Sequence, residues 1–207
     1  MALRALALVA LTLLGARPAG AEDLGRGRQL FGLCATCHGP QGQGNRATAA
    51  PAIAGLPRWY VEAQLSKFKD GARGFRAEDR TGLQMRPMAR ALVRAGDVQA
   101  VAAFVASLPA PRPAATVTGD VERGRAGYAP CLACHGERAS GNEALKAPGL
   151  TRQADWYLVA QLEKFRAGWR GTHPQDATGA QMRPMAMTLG DEAAIRDVVA
   201  YIRSLGD

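Results

Sequence analysis

Apolar side chains recur at helical spacing in several stretches of the chain. In residues 59–69 they fall on one face, and Gly71 follows as a stop signal. The stretch after Asp155 repeats this stripe, and stretches that begin at Asp97 and Asp191 also carry one apolar face. Strand-like alternation is nearly absent. The pattern therefore predicts an all-α fold in which Asp97, Asp155 and Asp191 cap helices.

The whole pattern occurs twice, at a constant offset of 97 positions and without an insertion or deletion. Residues 84–89, for example, return unchanged as residues 181–186. Two tandem copies of one small domain explain this, whereas a solenoid would need more and shorter units. Three prolines at alternate positions separate the copies and favour an extended, semi-rigid segment. We therefore predict a first unit (22–108), a linker (109–116) and a second unit (117–207).

The first residues have the composition of an export signal. Arg4 supplies a positive charge, residues 5–14 form an apolar run too short to span a bilayer, and small residues lead up to Ala21. We expect cleavage near Ala21 and a mature protein in the periplasm; an uncleaved membrane anchor is the alternative. No later segment is apolar enough to cross a membrane, so any membrane association would come through partners.

All four cysteines lie in two short motifs, C-A-T-C-H at residues 34–38 and C-L-A-C-H at residues 131–135. C-x-x-C-H is the attachment signature for c-type haem, in which two thiols bind the porphyrin and the histidine ligates the iron. Disulfides would explain neither the histidines nor their shared distance to a methionine. We expect two covalently attached haem c groups. The candidate haem residues are Cys34, Cys37, His38, Cys131, Cys134 and His135. Asp23 and Asp120 are predicted to cap the helices that lead into the two motifs.

Two methionines in each unit are candidates for the second axial ligand. Met85 and Met182 each follow their haem histidine by 47 residues, and Met88 and Met185 follow it by 50. The first of each pair precedes a proline, which predicts a loop from which the thioether can approach the iron. The second is expected to pack beside the haem, although spacing alone does not decide. An iron whose second axial position is filled by methionine has no open site for a substrate, so it only transfers electrons.

Together these residues resemble the two-haem class I cytochromes c of the c-four type, over residues 22–207. The resemblance implies two similar all-helical haem domains in one periplasmic chain, with the haem edges facing each other across the interface. In that family the distal methionine stands seven residues before a leucine. Leu92 and Leu189 occupy that position here, so the resemblance favours Met85 and Met182 as ligands. Similar two-haem chains also resemble the cytochrome subunits of sulfide-oxidising flavocytochromes.

Charge is distributed unequally between the units. The formal net charge is +8; the first unit has 12 basic and 7 acidic side chains, and the second has 11 of each. One hypothesis is that the first unit docks onto an acidic surface of a redox partner. The alternative is a solvated surface whose charges partly pair with haem propionates. Nucleic acid is an implausible partner for an exported haem protein. The arginines that crowd the first methionine motif are Arg73, Arg76, Arg80, Arg86, Arg90 and Arg94.

Three functions compete at this point. The first is an electron carrier without substrate chemistry of its own, which passes electrons between respiratory or oxidative partners. The second is a haem subunit of a dehydrogenase that oxidises sulfide or an alcohol. The third is a two-haem peroxidase, which needs an open iron site and is disfavoured by the duplicated methionines. His173 has Arg76 as its counterpart, so it is outside the repeated plan and is expected in a surface loop.

Overall fold

A computed structural model describes residues 24–206 of the chain. The predicted export signal, its cleavage near Ala21 and the Asp23 cap lie outside the described residues. Within them the secondary structure is helical, apart from two isolated β-bridges, which confirms the all-α fold. Among residues 24–206, no helix combines the length and the apolar character needed to cross a bilayer.

The helices form two sets, one in each unit. The first unit contains α1 (Leu24–His38), α2 (Arg58–Asp70), α3 (Arg80–Arg90) and α4 (Asp97–Ser107). The second unit contains α5 (Val121–Gly127), α6 (Leu132–His135), α7 (Asp155–Arg166), α8 (Ala177–Met187) and α9 (Glu192–Ser204). Short 3₁₀ turns are found at Arg46–Thr48 and Ala129–Cys131.

The first and last helices of each unit cross closely. α1 packs on α4, and α5 packs on α9. At the crossings a Cβ on Gly27 would overlap the carbonyl oxygen of Ala100, and one on Gly124 would overlap that of Asp197. Glycine is therefore required at both points for the backbones to approach. The side chains around the crossings, such as Phe31 and Ile195, are almost fully buried.

The helix that leads into the second cysteine motif is broken, unlike its counterpart. α1 runs without interruption to His38, but in the second unit α5 ends at Gly127 and a 3₁₀ turn separates it from α6. Pro130 lies in that turn, where the first unit has Leu33. Proline lacks the backbone N–H that a continuing α-helix would use, so the helix is interrupted there.

Two of the predicted helix caps are confirmed and two are wrong. Asp120 accepts a hydrogen bond from the backbone N–H of Arg123, and Asp191 does the same for the third residue after it. Asp97 and Asp155 instead occupy the first position inside their helices. Their carboxylates accept hydrogen bonds from the backbone N–H groups of Arg94 and Thr116, which precede the two helices. They therefore hold the preceding segment in place and do not cap the helix.

The prediction of a loop around Met85 and Met182 is wrong. Both methionines lie inside helices, α3 and α8, and Pro87 and Pro184 lie inside the same helices. Asp79 and Asp176 cap these helices eight residues before Pro87 and Pro184, so the proline does not set the start of either helix. Each proline forgoes one backbone hydrogen bond close to the helix C-terminus, where the cost is accepted.

The chain between the units has no helix or strand from Pro109 to Asp120. Several of its residues are hydrogen-bonded to the second unit. Arg203 Nη2 donates to the carbonyl oxygen of Pro113 at 2.9 Å, and the hydroxyl of Thr116 donates to the Asp155 carboxylate at 2.7 Å. The backbone N–H groups of Thr116 and Val117 donate to the same carboxylate.

Candidate functional site

The first cysteine motif opens into an apolar cavity in the first unit. Cys34, Cys37 and His38 line it from the end of α1, and Met85 lines it from α3. The loop between α1 and α2 holds the histidine: His38 Nδ1 lies 2.8 Å from the carbonyl oxygen of Pro51. A carbonyl only accepts, so Nδ1 is the protonated nitrogen and Nε2 keeps its lone pair. That arrangement prepares Nε2 for an iron.

The second unit repeats this arrangement. Cys131, His135 and Met182 line a second cavity, and His135 Nδ1 lies 2.9 Å from the carbonyl oxygen of Pro148. Each carbonyl therefore belongs to the proline 13 residues after the haem histidine. The same tautomer is fixed in both units, with Nε2 free to act as a ligand.

Burial keeps the histidines neutral and the inner thiols protonated. It lowers the pKa of His38 and of His135, although the hydrogen bonds to the proline carbonyls oppose the change. Burial also raises the pKa of Cys34 and of Cys131 to about 11. The four cysteines all lie within the described residues, and none of them forms a disulfide. Neutral imidazole is the form that coordinates a metal.

The two methionine pairs differ in exposure. In the first unit both methionines line the cavity, but Met85 is half-buried whereas Met88 is 40% exposed. In the second unit Met182 and Met185 both line the cavity and both are half-buried. Exposure therefore separates the two candidates in the first unit and leaves them similar in the second.

The two cavities meet at the interface between the units. Tyr157 and Lys164 of the second unit help to line the first cavity. Tyr60 and Lys67 of the first unit help to line the second. The contacts are thus exchanged between the units, as expected for a pseudo-two-fold relation. That the haem edges face each other across this interface stays a prediction.

Two buried arginines occupy the centre of this interface. Arg73 donates to Gln64 of its own unit at 2.8 Å, and to Gln161 and Tyr157 of the other at 2.9 and 3.0 Å. Arg170 mirrors this, donating to Gln161 at 2.9 Å and to Gln64 at 3.1 Å. Burial opposes ionisation of the Tyr157 hydroxyl, but the two guanidinium groups outweigh it and lower its pKa.

The arginines fit a cofactor that carries carboxylates. Among the described residues, no carboxylate is hydrogen-bonded to either guanidinium, and Arg170 Nε is buried without an acceptor. Two buried positive charges with only neutral acceptors are unfavourable. Haem supplies propionate carboxylates, so the donor set at the interface suits haem as well as the cysteines and histidines do.

Lysines on α2 and α7 form a second set of contacts across the interface. Lys67 Nζ lies 2.5 Å from Asp176 Oδ1, and Lys164 Nζ lies 2.5 Å from Asp79 Oδ1. Neither aspartate is among the residues predicted from the sequence to have a role. The repeat could have indicated them, because Asp79 and Asp176 are separated by the same 97 positions as the haem motifs.

The remaining candidates take structural positions. His173 stacks edge-on against Phe75 with ring centroids 5.2 Å apart, and it does not line the second cavity. Trp59 and Trp156 each pack edge-on against the tyrosine that follows them. These contacts agree with packing roles for the three side chains.

Comparison with known proteins gives the class of this site. The family model for cytochrome c matches residues 24–109 and again residues 121–206. The chain therefore belongs to the cytochrome c family, and its two matched segments each contain one C-x-x-C-H motif. It binds two haem c groups covalently, through Cys34 and Cys37 in one unit and Cys131 and Cys134 in the other.

Individual relatives narrow the likeness to two-haem carriers. A thiosulfate dehydrogenase electron acceptor from Stutzerimonas stutzeri is 33% identical over 84% of this chain and 79% of that protein. A cytochrome c4 from Thiocapsa roseopersicina is 31% identical over 84% of this chain and 88% of that protein. The structure of reduced cytochrome c4 from Pseudomonas stutzeri matches with a TM-score of 0.67 at 25% identity, over 88% of this chain and 98% of that one. The chain is a c4-like dihaem electron-transfer protein that works with redox partners, and it is a carrier rather than an enzyme.

Proposed function

We propose that the chain carries electrons in the periplasm through two haems that each have one histidine and one methionine ligand. His38 and Met85 are the axial pair in the first unit, and His135 and Met182 are the pair in the second. Haem supplies reversible one-electron chemistry, and His/Met ligation raises its reduction potential relative to two histidines. The observation that carries this assignment is the cavity of the first unit, which the half-buried Met85 lines together with His38.

Substitution of the methionines tests the ligands. Oxidised His/Met haem shows a weak sulfur-to-iron charge-transfer band, which is absent when a second histidine replaces the methionine. Met85→His and Met182→His should each remove about half of this band, since each unit contributes one haem. Met88→Leu and Met185→Leu, the matched controls, should keep it. Loss of the band in either leucine variant would reverse the assignment in that unit.

The proposal includes export and the division of the chain. Residues 1–21 act as a cleaved signal peptide, and the mature chain consists of units 22–108 and 117–207 joined by the linker 109–116. N-terminal sequencing of the secreted protein should read from near Glu22. A mature chain that still starts at Met1 would contradict export by cleavage.

We further propose that the first unit docks onto an acidic surface of a redox partner. Its support is the net charge of +5 on the first unit against zero on the second. Of the six arginines around the methionine motif, Arg73 is buried and engaged at the interface, and Arg86 is half-buried. The four that are exposed and available to a partner are Arg76, Arg80, Arg90 and Arg94.

The second candidate function is that of a haem subunit bound permanently to one dehydrogenase. The relative named as a thiosulfate dehydrogenase electron acceptor favours a thiosulfate dehydrogenase as the electron donor. Purification of the native protein distinguishes the two candidates. Isolation as a free monomer or dimer supports the mobile carrier, and co-purification with a dehydrogenase chain supports the subunit. Reduction of the oxidised protein by thiosulfate dehydrogenase with thiosulfate would identify the donor.

A further inference from the structure

The helix that carries each axial methionine begins at a buried aspartate. Asp79 accepts a hydrogen bond from the backbone N–H of Gly82 at 3.0 Å, and Asp176 does the same for Gly179. Both aspartates are 1% exposed. A Cβ on either glycine would overlap the carboxylate, so glycine allows the aspartate to close over the first turn. The carboxylates are thus part of the start of α3 and α8.

The counter-charge for each aspartate comes from the opposite unit. Lys164, on α7, lies 2.5 Å from Asp79 and also 2.5 Å from the threonine hydroxyl two residues further along α3. Lys67, on α2, makes the same pair of contacts with Asp176 and its threonine. These are the ion pairs that the described residues provide for the two carboxylates. Arg73 and Arg170 also attract Asp79 and Asp176 electrostatically, from the aspartates' own units and without a direct ion pair. The lysine side chains are 12% and 15% exposed, so water screens the pairs only weakly.

We propose that Lys164 and Lys67 are positioning residues for methionine ligation in the unit opposite to their own. Lys164 fixes the start of α3 and so positions Met85 in the first cavity, and Lys67 does the same for α8 and Met182 in the second. This inference rests on the proposed His/Met ligation. A buried carboxylate that loses its counter-charge is strongly destabilised, and it regains water only if the first turn of its helix opens. Met85 lies six residues after Asp79 on the same helix, so that opening withdraws the thioether.

The dependence is crossed, and this separates it from a general structural role. Removal of Lys164 acts on the first haem although the lysine belongs to the second unit. Removal of Lys67 acts on the second haem although the lysine belongs to the first. A lysine that merely supported its own unit would instead affect its own haem.

Two reporter proteins read each haem by itself in the full-length holoprotein. In Met182→His the charge-transfer band comes from the first haem, and in Met85→His it comes from the second. The measurement is the pH at which this band disappears during an alkaline titration. With the Met182→His reporter, Lys164→Met should lower this midpoint by about one pH unit, a tenfold change in the ligation equilibrium. Lys67→Met should leave it unchanged. With the Met85→His reporter the two lysine variants should exchange effects.

Two controls accompany this design. Asp79→Asn combined with Lys164→Met should restore the midpoint, because asparagine still accepts the Gly82 N–H without a buried charge. Lys146→Met removes a lysine that lies over the Trp59 ring at the same interface, and it should change neither midpoint.

Each outcome decides between the inference and the function on which it rests. Equal shifts in both reporters, or no shift in either, would overturn the crossed role of the lysines. Reporter proteins that lack the band before any lysine is changed would contradict the His/Met ligation, and the inference would fall with it.

Discussion

Backbone carbonyls and small residues determine the haem site at the scale of single residues. The carbonyl oxygens of Pro51 and Pro148 hold the two imidazoles in one tautomer, so a proline that donates nothing still orients the iron ligand. Gly27 and Gly124 are needed because they have no side chain: a methyl group on either would overlap a carbonyl oxygen of the facing helix. The helix that presents the cysteine motif is placed by that close crossing.

Alanine at the helix crossing should therefore destabilise the fold. We expect Gly27→Ala and Gly124→Ala to lower the free energy of unfolding by about 1–3 kcal/mol, the usual cost of overpacking. Thermal unfolding of the oxidised holoprotein measures the change. Gly32→Ala is the matched control, because Gly32 lies on the same helix with no atom near the added Cβ. That variant should gain about 0.5–1 kcal/mol from helix propensity. Equal losses at Gly27 and Gly32 would contradict the packing argument.

At the scale of elements, Asp155 joins the linker to α7. Its carboxylate accepts from the Thr116 hydroxyl and from the backbone N–H groups of Thr116 and Val117, and it is 1% exposed. Burial opposes its ionisation, but these donors outweigh burial and lower its pKa. The first unit has Arg58 at this position.

This carboxylate should make part of the stability depend on pH. A group whose folded pKa is lowered stabilises the fold above its unfolded pKa of about 4, and the stabilisation is lost as the pH falls through the folded value. Asp155→Asn should cost about 1–2 kcal/mol at pH 7 and progressively less in acid. Urea unfolding at several pH values tests this. Asp191→Asn, an exposed cap, should change little because asparagine caps equally well. A cost at Asp155 that stays constant with pH would exclude the ionised carboxylate as its source.

The sequence predicted the elements well wherever the information was local. The cysteine motifs, the α2 stripe and its stop at Gly71 follow from neighbouring residues, and the structure agrees. The predicted loop before Pro87 is wrong because the rule that proline disfavours helix in the preceding residue takes no account of the Asp79 cap, which starts the helix earlier. The pairing of Lys67 with Asp176 joins residues 109 positions apart, and no local pattern indicates it.

At the scale of the whole molecule, two structurally similar units carry different charge. The shared contacts place both cavities at one interface, whereas the net positive charge lies on the first unit. Under the proposed docking, a partner with an acidic surface would be attracted to the first unit. The first unit would then be the side at which electrons enter or leave, a polarity that the repeated fold alone would not provide.

Ionic strength should reveal that polarity. The second-order rate of electron transfer with an acidic partner should fall as salt rises, because screening removes the steering. At low salt Arg80→Glu should slow the reaction by about two- to tenfold. Arg138→Glu makes the same change on an exposed arginine of the second unit and should have a smaller effect. Stopped-flow measurement checks both variants, and a rate that does not vary with salt would refute docking through the first unit.

The pairing of Lys67 with Asp176 and of Lys164 with Asp79 has a consequence for the origin of the chain. Each unit contains both halves of the contact, a lysine on one helix and a capping aspartate on another. A surface of this kind is self-complementary, as in a symmetric dimer of identical subunits. Two copies of a one-haem ancestor could have associated in this way before a gene fusion joined them. The two halves of the present chain are no longer identical in charge, since the first unit carries +5 and the second carries zero.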